Sequence, residues 1–415
     1  MSLASEDGSK HPPWLLRLRS STGFIAATVW MSNFTDYFLY AMIVPVMPSA
    51  LVERANVPYE DREYWVSVLL MSEAGVACIA CPVFGYLVDV SPSRKLPYQL
   101  GLILLGGSMG LLAVADTVWK FVAARLLQGG ASAVVVVGGL ALMTDSVAAD
   151  NLGLMIGYLG SAVTLGFLLG PFLGGLVYDA AGYHAVFIVA FGIVAVDLVM
   201  RFAVVEKSVA RSWSKGLLSD RQSADYQTLP RECPPEQPAA KRGFVLPLLL
   251  RQPRILLSSW ALLVQGLIYA AFDSTLPVFV ETRFGWTAFG AGMAFLPGAL
   301  SAFFNPYFGH ISDRHGNRPV TITAFLLLTP TLILLRLITH NTLSHKTLLF
   351  TLEALAGLFL NLCMPALFVE TQQTLDAMEA REPGVFGAKG AVAQGFGIQT
   401  MAQFAGLFCG PVVGG

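Results

Sequence analysis

The stretch Gly166-Phe-Leu-Leu-Gly-Pro-Phe-Leu-Gly-Gly175 decides how the rest of the chain is read. Its pattern, GxxxGPxxGG, returns as Gly406-Leu-Phe-Cys-Gly-Pro-Val-Val-Gly-Gly415. Both copies lie in long apolar runs, where in water glycine and proline would destabilise a helix. In lipid, glycines on one face let two backbones approach closely, and neighbouring helices satisfy the carbonyl that proline frees. Gly166, Gly170, Pro171 and Gly174, with Gly410 and Pro411 in the second copy, are therefore expected at helix contacts. Two copies of a ten-residue pattern point to a membrane protein made of two similar halves.

Composition agrees. The 415 residues are 55% hydrophobic and only 13% charged, against about 25% charged in soluble proteins, so much of the surface must face lipid. A formal net charge of −1 argues against a nucleic-acid partner. The five cysteines at 78, 81, 233, 363 and 409 make no disulfide framework. Cys78-Ile-Ala-Cys81 sits in an apolar helix with no histidine or second pair nearby, so neither a metal nor a cofactor is expected. No HExxH appears, which argues against a membrane-embedded metalloenzyme.

A spanning helix needs roughly 20 mainly apolar residues. Such runs fall near 23–50, 64–88, 97–115, 118–142, 152–177 and 183–205, then near 254–281, 288–310, 318–340, 346–370 and 391–415. The expected organisation is a cytoplasmic tail (1–22), a six-helix bundle (23–205), a polar cytoplasmic linker (206–253) and a second bundle (254–415). The second bundle is one helix short, so a twelfth helix is expected to be missing from this chain. With the N-terminus in the cytoplasm, 18 of the 26 lysines and arginines fall on the inside and five outside, which satisfies the positive-inside rule. The plasma membrane and a vesicle or vacuole membrane both remain open.

Two loops repeat a second pattern. Gly85-Tyr-Leu-Val-Asp89-Val-Ser-Pro-Ser-Arg94-Lys95 follows the second span, and Gly309-His-Ile-Ser-Asp313-Arg314-His-Gly316-Asn-Arg318 follows the eighth. Asp89 and Asp313 are each placed to cap a neighbouring helix N-terminus or pair with an arginine, a clasp that breaks when the bundles rock.

On these residues the chain resembles the major facilitator superfamily of secondary transporters. The two loops look like its signature between helices 2 and 3 and the weaker copy between 8 and 9. Gly166–Gly175 resembles the helix-5 signature of the antiporter branch, and Arg125-Leu-Leu-Gln128-Gly129 the helix-4 signature. Val90 and Pro92 depart from the loop pattern, so a weaker first clasp is expected. A closer likeness is to vesicular amine transporters in the drug:proton antiporter branch. Asp36, nine residues before Pro45-Val-Met-Pro48, resembles their first helix. Asp273-Ser-Thr-Leu-Pro277 and Ala294-Phe-Leu-Pro297 resemble their seventh and eighth. The likeness implies that Asp36, and after it Asp273, meets the substrate ammonium. Where the family has a lysine in helix 2 this chain has Glu73, and Leu360 and Thr400 stand where acids are expected in helices 10 and 11.

The acids also carry an argument of their own. A carboxylate at mid-membrane is expensive, so such residues face the interior, pair or carry ions. Burial favours the neutral form of a carboxyl, which makes Asp36, Glu73 and Asp273 candidate proton sites, with Glu353 in reserve. Arg125 can hold one of them ionised. Asp197 and Arg201 read as a local i,i+4 ion pair, and Glu353 and Arg336 as a pair across helices 9 and 10. Asn33, Asn305 and Asn361, with Gln128, Gln265 and Gln399, can line a cavity. Tyr37, Tyr40 and Tyr269 can stack on an organic cation.

The expected protein is an all-α polytopic transporter of two pseudo-symmetric six-helix bundles. It works as a monomer by alternating access and exchanges protons for small amphipathic, cationic organic molecules. A facilitator or symporter for neutral or anionic metabolites, and a receptor-like protein that does not transport, are the alternatives.

Overall fold

The computed structural model describes residues 16–91, 95–147, 151–204, 245–286, 293–386 and 390–414. Regular structure among them is helical throughout. Six long helices precede residue 205: α1 (Thr22–Ile43), α2 (Arg62–Val90), α3 (Lys95–Ala113), α4 (Val118–Ser146), α5 (Leu152–Ala181) and α6 (Tyr183–Ala203). Five more follow: α7 (Pro253–Phe284), α8 (Asn305–His315), α9 (Asn317–Leu334), α10 (Leu343–Arg381) and α11 (Val392–Gly414). Residues 205–244, most of the expected linker, lie outside the described residues.

Eight helices among the described residues are long and apolar enough to cross a bilayer. α1 and its continuation Met47–Ala55 are long and apolar enough only when taken together, as a pair bent by 58°. The bend has a local cause. Pro45 has no amide to donate and its ring crowds the preceding turn, so the helix stops at Ile43 and restarts at Met47 with Pro48 in its first turn.

Packing repeats across the two halves. α1 lies on α5 as α7 lies on α11, α2 on α4 as α8 on α10, and α3 on α4 as α9 on α10. The quoted glycines set the first of these matches. A Cβ at Gly166 would press on Tyr37 and Phe38, and one at Gly170 would come 2.8 Å from Ala41 Cβ. One at Gly406 would strike the Leu263 carbonyl, and one at Gly410 would strike Ala270. Since lipid offers little hydrophobic drive for helix association, such close van der Waals contact is what holds the pairs. The outward faces stay apolar and exposed, as at Ile188, Trp260 and Leu326, where acyl chains cover them.

The halves meet along α2–α11 and α5–α8. At the end that carries the 89 and 313 loops, Ile25 and Val29 of α1, Met143 of α4 and Ile156 of α5 join Leu367 and Phe368 of α10 and Phe396 of α11 in one apolar cluster. That end is closed.

Candidate functional site

Three residues one turn apart on α1, Ser32, Asp36 and Tyr40, form a polar ladder through the first half. Asp36 is in the middle and 2% exposed. Ser132 of α4, set in a run of alanines and valines that lets the helices close up, donates to Asp36 Oδ2 at 2.5 Å.

Above it, Arg125 of α4 is fully buried. Its Nη1 donates to Glu73 Oε2 at 2.7 Å and to Gln128 Oε1 at 3.0 Å, and its guanidinium lies 5.5 Å from the centre of the Tyr40 ring. Gly129 completes the motif, because any side chain there would collide with the Glu73 carbonyl. The arginine supplies the charge, the glutamine orients it, and the glycine lets α2 come near enough for the pair. Glu73 is the matching acid.

Below it, Asp197 and Arg201 of α6 are buried and 3.3 Å apart. They are more than the local pair read from their spacing. Ser32 donates to Asp197 Oδ1 at 2.7 Å and accepts from Arg201 Nε at 2.9 Å. Arg201 Nη1 donates to the Tyr98 carbonyl of α3, and the guanidinium stacks 3.8 Å from the Tyr98 ring centre. An i,i+4 spacing shows only that two side chains can meet; their bonds to α1 and α3 depend on packing.

The interior of the first half therefore brings together three carboxyls, Asp36, Glu73 and Asp197, and two arginines. Glu73 and Asp197 each have an arginine. Asp36 has a serine.

The second half holds mostly neutral groups. Gln265 donates to the Leu360 carbonyl at 2.7 Å. Tyr269 Oη donates to Asn361 Oδ1 at 3.1 Å, and Asn361 Nδ2 to Ser301 Oγ at 2.7 Å. Gln399 bonds Thr371 at 2.6 Å and Ser258 at 2.8 Å. Asn305 is buried against Gly157 and Gly160 of α5, and its amide makes no hydrogen bond among the described residues. Asn33, in the first half, donates to the Val29 carbonyl of its own helix at 2.9 Å. Glu353 is buried whereas Arg336 is exposed, and no ion pair joins them among the described residues. Asp273 lies in α7, but its side chain and that of Pro411 fall outside the described residues, as does Arg94.

The two loop aspartates hold mirrored contacts. Asp89 accepts from the amides of Ala393 and Gln394 at 3.1 and 2.9 Å, at the start of α11. Asp313 accepts from Gly153 and Leu154, both at 2.9 Å, at the start of α5. Each carboxylate binds the exposed amides at the positive end of a helix from the other half. Gly85 and Gly309, one turn earlier, lie against the Ala393 and Gly153 carbonyls and allow the approach. Gln394 Nε2 adds a third bond to Asp89 at 3.4 Å. Arg314 is exposed. The ion pairs near it run instead from Arg254 and Arg318 to Glu370 of α10, at 3.2 and 3.5 Å, an anchor in which only Arg318 belongs to a sequence pattern.

These features define a class: a polytopic transporter of two repeated halves with ionisable groups buried between its helices. The model of the Major Facilitator Superfamily matches residues 29–411, and the chain belongs to that superfamily, a family of transporters and not of enzymes. It is 32% identical over 410 residues to the MFS-type transporter C18.02 of Schizosaccharomyces pombe, covering 96% of this chain and 90% of that one. It is 24% identical to the multidrug resistance protein MdtG of Yersinia enterocolitica over 80% of this chain and 75% of that one. The crystal structure of the human organic anion transporter MFSD10 (TETRAN) has a TM-score of 0.67, covering 97% of this chain and 93% of that one at 18% identity. That likeness shows the fold alone.

Proposed function

We propose that this transporter is a proton-coupled antiporter of small amphipathic organic cations, with Asp36 as the site where proton and substrate compete. The observation that carries the reading is the buried Asp36 carboxyl, bonded to a serine, between two carboxyls that each have an arginine. A carboxylate in so apolar a place is costly unless neutralised. A proton or a cationic substrate can neutralise it, and the two exclude each other. A proton entering from the outer or luminal side displaces the cation, and its loss to the cytoplasm regenerates the site. Asp273 and Glu353 are further candidates on the second half, and Tyr40, Asn305 and Asn361 candidate substrate contacts. Asp89 and Asp313, with the small residues around them, act as clasps that part when the cytoplasmic end opens. The N-terminus and the 206–253 linker are assigned to the cytoplasm, and the chain works as a monomer. The likeness to a multidrug resistance protein supports a broad, amphipathic substrate class.

The second reading is a facilitator or symporter for neutral or anionic metabolites. The buried Arg125 and Arg201 favour it, but each arginine here has a carboxylate partner.

The test is uptake of a fluorescent organic cation into proteoliposomes under an imposed pH gradient. Wild-type uptake should follow the gradient and disappear in Asp36→Asn. Gradient-driven uptake that survives the substitution moves the site to Asp273 or Glu353. Uptake of an organic anion, with none of the cation, establishes the second reading, and indifference to the gradient makes it a facilitator.

A further inference from the structure

The Asp197–Arg201 pair has a feature that a structural pair does not require: both members bond the same residue of another helix. Ser32 donates to the acid at 2.7 Å and accepts from the base at 2.9 Å. Tyr98 of α3 takes the rest of the arginine, through its carbonyl and its ring. Ser32 is fully buried and lies one turn from Asp36 on the same face of α1. We propose that the Asp197–Arg201 pair is a positioning centre for Asp36: through Ser32 it fixes the turn of α1 that carries the acid, and its charge balance decides how readily that acid ionises. This rests on the reading of Asp36 as the exchange site.

With both carboxyls ionised, Asp36, Asp197 and Arg201 sum to one negative charge, while Glu73 and Arg125 cancel. Arg201 is engaged by Asp197, so Asp36 keeps its full need for a proton or a cation. If Asp197 loses its charge, Arg201 becomes available to Asp36, and the ionised acid gains a counter-ion. The ionisable groups that bear on Asp36 are few. α4 brings Arg125, α6 brings Asp197 and Arg201, and α1 itself brings Tyr37 and Tyr40. α2 brings Glu73 and Cys81, and α3 brings Tyr98. The ionisable groups of α5 are Asp179 and Tyr178 at its far end and an exposed Tyr158.

The experiment is pH-difference infrared spectroscopy of the carboxylic C=O stretch, on the full chain in lipid nanodiscs, with the Asp36 band assigned by its loss in Asp36→Asn. In Asp197→Asn the midpoint of that band should move to lower pH by about one unit or more, tenfold in the proton equilibrium. Asp197→Glu should return it to the wild-type value. A midpoint unmoved in Asp197→Asn, in protein that is monodisperse and melts like wild type, overturns the proposal, because a merely structural pair would change only the amount of folded protein. Should Asp197→Asn not fold, Ser32→Ala keeps the ion pair and cuts its bond to α1. A displaced midpoint there supports the proposal and an unmoved one overturns it. Failure of the antiport reading looks different: the band shifts as described, yet cation uptake ignores Asp36→Asn.

Discussion

In the first half, Gly129 of α4 lies against the Glu73 carbonyl of α2; in the second, Gly357 of α10 lies against the Gly298 carbonyl of the short helix Leu296–Leu300 that precedes α8. One turn earlier stand Arg125 and Glu353. Gly170 on Ala41 and Gly410 on Ala270 fix a second register, in which Asp36 corresponds to Gln265 and Tyr40 to Tyr269. Three residues beyond Gly129 and Gly357, Ser132 serves Asp36 while Leu360 offers its carbonyl to Gln265. The backbone contacts repeat because only glycine fits where two helix axes come so close. The side chains around them are under no such constraint. In the first half they have become acids and arginines, in the second mainly amides and hydroxyls. Buried charge is thus concentrated in the first half, and neutral hydrogen-bonding groups in the second.

The largest effect that tests this comparison comes from the scaffold. Gly129→Leu and Gly357→Leu should each abolish monodisperse protein in size-exclusion chromatography, since overpacking of a tight contact costs about 1–3 kcal/mol even where side chains can yield, and here a carbonyl is in the way. Loss in one half only would show that the two contacts are not equivalent. Next comes the chemistry held by the scaffold. Glu73→Gln leaves Arg125 buried without its anion and should cost about 3–5 kcal/mol, read as a large fall in thermal midpoint. The double change Glu73→Gln with Arg125→Gln should recover most of it. Gln265→Leu, which removes a neutral group, should cost only about 1–3 kcal/mol. If Gln265→Leu proves the more damaging, the contrast between the halves fails. The smallest effect concerns the clasps. Asp89→Asn and Asp313→Asn should each weaken the closed end by about 1 kcal/mol. Alkylation of a cysteine introduced at Met143, on a cysteine-free background, should then speed up about fivefold. A response to one substitution alone would mean that one clasp carries the closure.

Much of this was legible in the sequence. The two glycine patterns identified the helices that pack, and the two aspartate loops identified the residues that reach across. The arginine motif gave Arg125 as a group able to hold an acid, and Glu73 was among the acids considered. Other features left no trace. Ser32 and Ser132 are ordinary residues in apolar runs, and nothing in their spacing says that one bridges an ion pair and the other serves Asp36. The Asp197–Arg201 spacing suggested a contact that ends on its own helix. Glu370 sits in a polar stretch where any of several acids could have met Arg254 and Arg318. Arg314 matched the loop pattern, yet the ion pair belongs to Arg318.

The sequence by itself determined that this is a membrane-spanning, helical, duplicated chain, because hydrophobic length and backbone self-sufficiency in lipid are properties of each segment. It also determined which glycines must touch, since close approach demands a residue type and a period. Only the tertiary structure decided which acid, among the described residues, is left without an arginine. Asp197 meets an arginine of its own helix, which spacing alone can show, but Glu73 and Asp36 differ only in what α4 brings to each, Arg125 to one and Ser132 to the other.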